Sequence, residues 1–311
     1  MLDQPPEHAP GASPARDATL RILACPYCRT PLELRAAGAR CPSPGCAAAF
    51  DRTTGGILDF RLNKPKTVVQ RITFGGEGER PTVEKRTLPS NPRPEVDWNG
   101  FERPDTLRPR LQSWLPRARR PGALVLDIGC GTGAFRPIFE HAGFGYVGVD
   151  VTGDAVTFLA DARALPFAGG SFDLVWSNAV LQYVSHPAVA AAEAFRVLAP
   201  GGRFMGTIGF LEAFDGDNMH QATWLGAHRY FQDAGFEIEH LAPDDVWTGP
   251  VAMARALFPG LPGRSAERLA ALVDRCSRLY WRIATARHRR LGLEDRLVKI
   301  TGGFEFILRK P

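Results

Sequence analysis

The sequence of 311 residues contains no apolar run long enough to cross a bilayer. Its first twenty residues also lack the apolar core of a secretory signal peptide. The net charge is only +5, and the basic residues are scattered, with no patch in which aromatic side chains alternate with them. Composition therefore does not demand a nucleic-acid partner. We expect a cytoplasmic protein, whose six cysteines are thiols or metal ligands rather than disulfides.

The most restrictive stretch is Leu124–Gly133, where an apolar run of strand type ends in Asp127. Three glycines follow at alternate positions, namely Gly129, Gly131 and Gly133. Glycine has no Cβ, so it accepts a positive φ and lets a ligand approach the backbone. The pattern predicts a strand, a glycine turn and a helix N-terminus, which is where open α/β sheets bind cofactors.

Two cofactors compete for this turn. The spacing Gly129-x-Gly131-x-x-Ala134 fits the dinucleotide pattern, in which the helix N-terminus receives a pyrophosphate. Asp127 disfavours that doubly negative group. The same carboxylate suits S-adenosylmethionine (SAM), which carries an ammonium and a sulfonium.

Four cysteines form two close pairs near the N-terminus. They are spaced C-x2-C-x12-C-x4-C, at Cys25, Cys28, Cys41 and Cys46. Each pair can form a tight knuckle, and four thiolates suit tetrahedral zinc with no open position for catalysis. A segment of about forty residues buries too little apolar surface to fold alone, so we expect a bound metal to stabilise its fold. We predict one structural Zn²⁺, with four free thiols as the alternative.

Several blocks follow the glycine turn in a characteristic order. A second strand ends in Asp150, Phe158–Phe167 contains D-A-x-x-L-P-F, Ser171–Asn178 begins S-F-D, and Arg196–Gly202 reads R-V-L-x-P-G-G. Together with D-x-G-x-G-x-G, these blocks resemble the class I SAM-dependent methyltransferases, type 11 in particular, over residues 122–209. Residues 21–61 resemble the small zinc ribbons that are fused to, or partner, bacterial methyltransferases.

The resemblance implies an α/β fold with a Rossmann-like seven-stranded methyltransferase sheet, its last strand antiparallel, and a small N-terminal zinc ribbon. We divide the chain into a disordered tail (1–20), the ribbon (21–61), a linker or lid (62–103) and a methyltransferase domain (104–311) with a helical insertion at 243–298. We expect the ribbon to be a separate unit, so that chelation leaves the cofactor site intact. Only ten residues separate Asp150 from Asp161, too few for a helical crossover, so a loop should join those strands.

The resemblance also assigns the SAM contacts. They are Asp127, Gly129, Gly131, Gly133, Asp150, Asp161, Ala162 and Asn178. Asp150 would accept from the ribose hydroxyls and Asp161 from the adenine amino group, while Ala162 offers its backbone N–H to the ring. Two roles are open for Trp98 and Phe101 of the linker. Either they cap the cofactor pocket, or they are buried and anchor the linker to the domain.

A general base is needed only if the acceptor must lose a proton. The candidate catalytic residues are His220 first, then His186 and Tyr183, all on loops beyond strand ends. Ser185 is the expected N-cap of a helix that starts near Pro187.

The insertion contains an amphipathic helical pattern over Ser265–Arg290. Its apolar stripe consists of Leu269, Leu272, Val273, Cys276, Leu279, Tyr280 and Ile283. Arginines at 268, 275, 278 and 282 lie off the stripe. We expect the stripe to pack on the domain and the basic face to be solvated, with a substrate cap or a nucleic-acid contact as alternatives.

The favoured function is SAM-dependent methyl transfer to a small-molecule acceptor, such as a specialised or lipid-like metabolite. One alternative is an RNA methyltransferase of the ribosomal type that uses the ribbon to contact RNA. The other is a non-catalytic zinc-ribbon binding module. The intact glycines and the two adenosine-binding acids, Asp150 and Asp161, disfavour that module.

Overall fold

The computed structural model describes residues 14–69, 87–102, 104, 106–211, 217–258, 262–287 and 301–311. Predictions for residues 1–13, for much of the linker and for the end of the insertion lie outside these ranges. The first described element is helix α1 (Pro14–Arg21), so the predicted disordered tail is too long at its C-terminal end. No helix of the described residues is long and apolar enough to cross a membrane.

The cysteine segment forms a small antiparallel sheet in the order β1-β2-β3. Its strands are β1 (Glu33–Arg35), β2 (Gly38–Arg40) and β3 (Ala49–Asp51). Each knuckle is followed by a non-glycine residue in the left-handed region, Arg29 at φ 68° and Ala47 at φ 47°. This backbone turns the chain sharply after Cys28 and after Cys46.

The larger sheet has seven strands in the order β6-β5-β4-β7-β8-β10-β9. The strands are β4 (Leu124–Ile128), β5 (Gly145–Asp150), β6 (Phe158–Leu159), β7 (Phe172–Asn178), β8 (Leu198–Gly209), β9 (Glu237–Pro243) and β10 (Gly303–Arg309). Strands β4 to β8 pair in parallel, and β10 is antiparallel to both of its neighbours. The predicted seven-stranded α/β sheet with an antiparallel last strand is confirmed.

Six further helices connect the strands. They are α2 (Pro109–Ser113), α3 (Arg136–His141), α4 (Pro187–Val197), α5 (Trp224–Asp233), α6 (Gly249–Leu257) and α7 (Gly263–Arg287). The expected loop between β5 and β6 is present. The N-cap of α4 is His186, without a side-chain cap bond, so the prediction of Ser185 was wrong by one residue. The reason is that Pro187 supplies the first helical residue, which places the cap directly before it.

The core covers both faces of the large sheet. On one face, Phe204 of the sheet packs against Phe231 of α5. On the other, Trp176 of the sheet packs against Phe139 of α3.

Trp98 and Phe101 of the linker belong to that second cluster. Their rings lie 5.5 and 4.5 Å from the ring of His141 in α3. They are therefore anchors against α3 rather than caps of the cofactor pocket.

The cysteine sheet is joined to the edge of the large sheet. Phe60 donates its backbone N–H to Leu159 of β6 at 2.7 Å, and Leu159 donates to Leu58 at 3.1 Å. Phe60 is fully buried against Phe158, with ring centroids 5.6 Å apart. The expectation of a separate unit is corrected: strand pairing extends across the boundary and the two parts share one core.

Candidate functional site

The glycine turn after β4 requires glycine at its first position. Gly129 has φ +72°, and a Cβ there would lie 2.3 Å from Cγ2 of Val180. Gly131 donates its N–H to Oδ2 of Asp150 at 3.0 Å, which ties the turn to the end of β5. The glycines thus hold the backbone of the turn close to the neighbouring strand ends.

A pocket of about 370 Å³ lies at the carboxyl ends of β4, β5 and β7. The predicted residues that line it are Gly129, Asp150, Asp161, Ala162, Asn178 and Tyr183. Its volume is in the ordinary range for a small-molecule or cofactor site, and its wall is mostly apolar with a few converging polar groups. Residues from four separate motifs therefore meet in one cavity.

Asp150 has two roles in the geometry of this pocket. Its Oδ1 accepts the N–H of Val151 at 2.7 Å, and its Oδ2 accepts the N–H of Gly131. The carboxylate stays half-buried in the pocket wall, with oxygen lone pairs left for further donors. It is the group best placed to accept hydrogen bonds from a ribose.

Asp161 is engaged by its own neighbour. The guanidinium of Arg163 bonds both oxygens of the Asp161 carboxylate, at 3.0 and 2.6 Å, and the Arg163 N–H donates at 2.8 Å. Burial alone would raise the pKa of Asp161, but these bonds lower the pKa overall. An adenine amino group would share this ionised carboxylate with Arg163.

Asp127 lies behind the pocket wall, 1% exposed, and its Oδ2 accepts the hydroxyl of Tyr146 at 2.8 Å. Burial raises the pKa of Asp127 to about 7, the Tyr146 bond opposes that rise, and the charge of Asp150 adds to it. A direct contact with the SAM ammonium stays a prediction. In this structure Asp127 lies beneath the glycine turn and is hydrogen-bonded to Tyr146 of β5.

Asn178 is oriented by the neighbouring strand. Its Oδ1 accepts the hydroxyl of Thr207 in β8 at 3.0 Å, which leaves the amide nitrogen to donate into the pocket. The next residue, Ala179, has φ 55°, an uncommon backbone for a residue with a Cβ. This turn directs Val180 toward Gly129.

Two of the three candidate catalytic residues, His220 and His186, contact Ser185 in the pocket wall. Nε2 of His220 lies 2.7 Å from the Ser185 carbonyl oxygen, and Nδ1 of His186 lies 3.0 Å from its hydroxyl. A carbonyl only accepts, so the proton of His220 is on Nε2 and Nδ1 is the basic nitrogen. Tyr183 lines the pocket directly, whereas the two histidines are at its exposed margin.

The four predicted metal ligands form one cluster. Their Sγ atoms all lie within 4.8 Å of one another, with Cys25–Cys46 at 3.7 Å and Cys28–Cys41 at 3.4 Å. Zn–S bonds of about 2.3 Å in a tetrahedron set sulfurs roughly 3.8 Å apart, so the cluster fits a structural zinc. The donor set is complete without an open position.

Sequence reasoning missed ten of the sixteen residues of the pocket wall, and three of them have side chains that bear on its chemistry: Arg163, Ser185 and Met219. Each is adjacent in sequence to a residue that was predicted. Arg163 was detectable, because a cation two positions from Asp161 can fold back on that carboxylate. Nothing in the pattern marked Ser185 or Met219.

Comparisons with known proteins agree with this geometry. A methyltransferase-domain family model matches residues 126–206. An uncharacterised methyltransferase of Mycolicibacterium paratuberculosis is 32% identical over 180 residues, 49% of this chain and 70% of that protein.

Two further matches differ in how much of each chain they cover. The malonyl-[acyl-carrier protein] O-methyltransferase of Erwinia billingiae is 33% identical over 34% of this chain, and the match spans only 45% of that enzyme. A crystal structure of a SAM-dependent methyltransferase from Mesorhizobium loti covers 65% of this chain and 96% of its own, at 19% identity and a TM-score of 0.43.

Proposed function

We propose that this chain, which belongs to the class I SAM-dependent methyltransferases, transfers a methyl group from SAM to a small-molecule acceptor. The observation that carries the proposal is the pocket, in which Asp150, Asp161 and Asn178 converge beside the glycine turn. When bound, SAM supplies a methyl group on a positively charged sulfur. The residues of this chain supply binding and orientation.

Each cofactor residue has a task that its contacts support. Asp150 accepts the ribose hydroxyls while it holds Gly131. Asp161 and the backbone N–H of Ala162 receive the adenine edge. The amide nitrogen of Asn178, free to donate because Oδ1 is bound to Thr207, faces the methionine end.

Acceptor chemistry falls to the residues around Ser185. Because the sulfonium is already reactive, most of the rate comes from holding the nucleophile in line with the methyl group. For an acceptor that must lose a proton, Nδ1 of His220 is the base, with Tyr183 and His186 as the other candidates. The Ser185 carbonyl fixes the His220 ring by a hydrogen bond.

The positions of the basic elements favour a small acceptor over RNA. The segment around Asp59, which follows the cysteine sheet, bridges to β6 at one edge of the seven-stranded sheet. Helix α7 follows β9, at the opposite edge. Seven strands spaced about 4.8 Å apart separate these edges by roughly 29 Å. This distance between β6 and β9 supports a small acceptor over an RNA that would have to contact the ribbon and the segment after β9 together.

We infer that the cysteine cluster holds a structural zinc, with Cys25, Cys28, Cys41 and Cys46 as its ligands. The sulfur separations support this inference. The zinc takes no part in methyl transfer, since four thiolates leave it no open position.

The proposal is tested with SAM that carries a tritiated methyl group. The full chain is incubated with a panel of hydroxyl, carboxyl and amine acceptors, and separately with RNA. We expect label in an organic-extractable small product, at a rate nearly independent of salt. Label in RNA would contradict the proposal, and each phosphate contact would then add a slope of about −0.7 in log affinity against log salt.

The base is tested by His220→Ala. Loss of an ordinary general base lowers turnover by about a hundredfold or more at unchanged SAM affinity. His228 of α5, outside the pocket wall, gives a matched control variant, His228→Ala. A loss below about tenfold for His220→Ala would remove His220 from the chemistry.

A further inference from the structure

The helical hairpin of α6 and α7 exposes an unusual amount of apolar surface. Of the fifteen large apolar side chains that are exposed in the described residues, eight belong to this hairpin or its immediate end. They are Met253, Leu257, Phe258, Leu272, Val273, Leu279, Tyr280 and Ile283. The prediction that the stripe packs on the domain is therefore wrong. We call these eight side chains the hairpin apolar surface.

The contact between the two helices does not use this surface. Helices α6 and α7 pack against each other, and the apolar side chains known to be buried among the described residues of the hairpin are small: Ala252, Ala254 and Ala270. Leu279, Tyr280 and Ile283 are 61, 68 and 56% exposed. Positions 272, 276, 279, 280 and 283 share one face of a helix, since neighbours three and four residues apart align. The apolar face of α7 thus points away from its partner helix.

Cations line one flank of that face. Arg268, Arg275 and Arg282 are exposed and follow one another at intervals of seven residues, so they lie almost in line along the helix. Their long stems can lie along apolar surface while the guanidinium groups stay in a polar layer. An apolar face beside a row of cations is complementary to an apolar medium with an anionic boundary, such as the surface of a bilayer.

Helix α7 is too polar to span a membrane, as its row of arginines shows. A helix with a strongly separated apolar face and low overall hydrophobicity instead lies in the plane of the interface. Its 25 residues span about 37 Å at 1.5 Å per residue, ample for such a contact. Tyr280 is of the residue type that favours the interfacial layer.

The hairpin leaves the sheet at the carboxyl ends of its parallel strands, where the cofactor pocket also lies. Its ends are joined where Thr248 bridges Thr301 and Gly302 donates to the Trp247 carbonyl at 2.9 Å. Gly303, the first residue of β10, pairs with Gly209, the last residue of β8. The carboxyl end of β8 is therefore at the base of the hairpin, and that edge also carries the pocket.

A second copy of the chain fits this surface less well. In an antiparallel pair, a two-fold axis perpendicular to the helices places each flank of α7 beside the same flank of its partner. The row of Arg268, Arg275 and Arg282 would then face an identical row, and like charges at close range repel.

We propose that the hairpin apolar surface docks on an anionic lipid membrane, with α7 lying in the interface and its arginines among the lipid headgroups. The docked surface places the carboxyl edge of the sheet toward the bilayer. A lipophilic acceptor would then reach the pocket from the membrane. The association itself is independent of methyl transfer and is measured without SAM.

The test is co-sedimentation of the full chain with vesicles of phosphatidylcholine and phosphatidylglycerol at 3:1, and with vesicles of phosphatidylcholine alone. We expect binding to the anionic vesicles, weakened by salt. The double variant Leu279→Ser/Ile283→Ser should bind at least about tenfold more weakly, since it removes two inserted aliphatic side chains. Arg268→Gln and Arg275→Gln should each weaken anionic-vesicle binding about fivefold.

The matched control is Leu225→Ser, which removes a leucine that is 54% exposed on α5, outside the hairpin. The Leu225→Ser variant should bind vesicles as the unaltered chain does. Every variant should retain the SAM affinity and the thermal midpoint of the unaltered chain. Absence of binding to anionic vesicles would overturn the proposal, as would equal binding by the serine double variant. A dimer in sedimentation equilibrium that dissociates in that double variant would assign the surface to a second copy instead.

Discussion

At the scale of single residues, Asp150 links the glycine turn to the expected ribose. Asp150→Ala removes the acceptor for Gly131 as well as any bond to a ribose hydroxyl. Each charge-assisted hydrogen bond contributes about 1.5–3 kcal/mol, so SAM affinity should fall by about tenfold to a hundredfold. Calorimetric titration of SAM measures the change.

A neighbouring acid supplies the control for Asp150. Asp154 is exposed in the same loop and does not line the pocket, so Asp154→Ala should bind SAM as the unaltered chain does. Equal affinities for the Asp150 and Asp154 variants would show that the carboxylate at the end of β5 is not a cofactor ligand.

The raised pKa of Asp127 makes a prediction about stability. Burial holds that pKa at about 7 in the folded protein, against 3.8 for an ordinary aspartate. The folded carboxyl therefore keeps its proton while the unfolded one ionises, so this group makes the free energy of unfolding fall as pH rises toward 7. Asp127→Asn removes that contribution.

Urea unfolding from pH 5 to pH 9 tests this prediction. The difference in unfolding free energy, variant minus unaltered chain, should grow with pH by at most about 1.4 kcal/mol per unit below pH 7 and then level off. The Tyr146 hydroxyl can donate to an asparagine oxygen, so the variant keeps that contact. A constant difference across this range would mean that Asp127 is ionised in the folded protein.

The types of the pocket residues were predictable, but their partners were not. D-x-G-x-G-x-G and D-A-x-x-L-P-F mark Asp127 and Asp161 by position. They do not reveal that Tyr146 binds Asp127 or that Arg163 folds back on Asp161, because those contacts depend on strand register and on rotamers. The convergence of His186 and His220 on Ser185 depends in the same way on how the 217–220 loop returns to the pocket.

At the scale of elements, the union of the ribbon with β6 links the metal to the cofactor pocket. β6 has two residues, and on its outer side it pairs with the Leu58–Phe60 segment. Ala160, Asp161 and Ala162 of the pocket wall follow it directly. Chelation of the zinc should therefore weaken SAM binding by more than about tenfold, beyond unfolding the ribbon.

Two cysteine variants test this link by metal analysis and calorimetry. Cys28→Ser removes a ligand, so it should lose the metal and bind SAM weakly. Cys276→Ser alters an exposed cysteine of α7 outside the cluster and should retain one zinc and normal affinity. If metal-free protein with an unfolded ribbon bound SAM normally, the ribbon and the cofactor site would be independent. The sequence-based expectation that chelation leaves the cofactor site intact would then be correct.

Elements with strong internal patterns were predicted well, and their packing partners were not. The strands β4, β7 and β10 and the helix α7 follow from apolar runs and helical periodicity. An amphipathic pattern gives the face of α7 but not what covers that face, which is why its stripe proved exposed. The linker aromatics Trp98 and Phe101 are equally ambiguous, since a cap and an anchor have the same composition.

At the scale of the whole molecule, the seven-stranded sheet separates two additions. The ribbon meets the β6 edge through its Leu58–Phe60 segment, and the α6–α7 hairpin starts at the carboxyl end of β8. The order of the motifs predicted the sheet through the family resemblance. It could not predict that the ribbon joins the sheet, because that union depends on a few backbone hydrogen bonds with no sequence signature.

Methyl transfer by this chain requires that the pocket binds SAM. Calorimetric titration of the folded, zinc-loaded chain with SAM, and separately with NAD⁺, tests it most directly. We predict one SAM site per chain and no heat from NAD⁺, because the chain belongs to the methyltransferases and its pocket wall carries the Asp161-Ala162 block typical of SAM sites. Binding of NAD⁺, or a well-folded chain that binds neither ligand, would contradict the account.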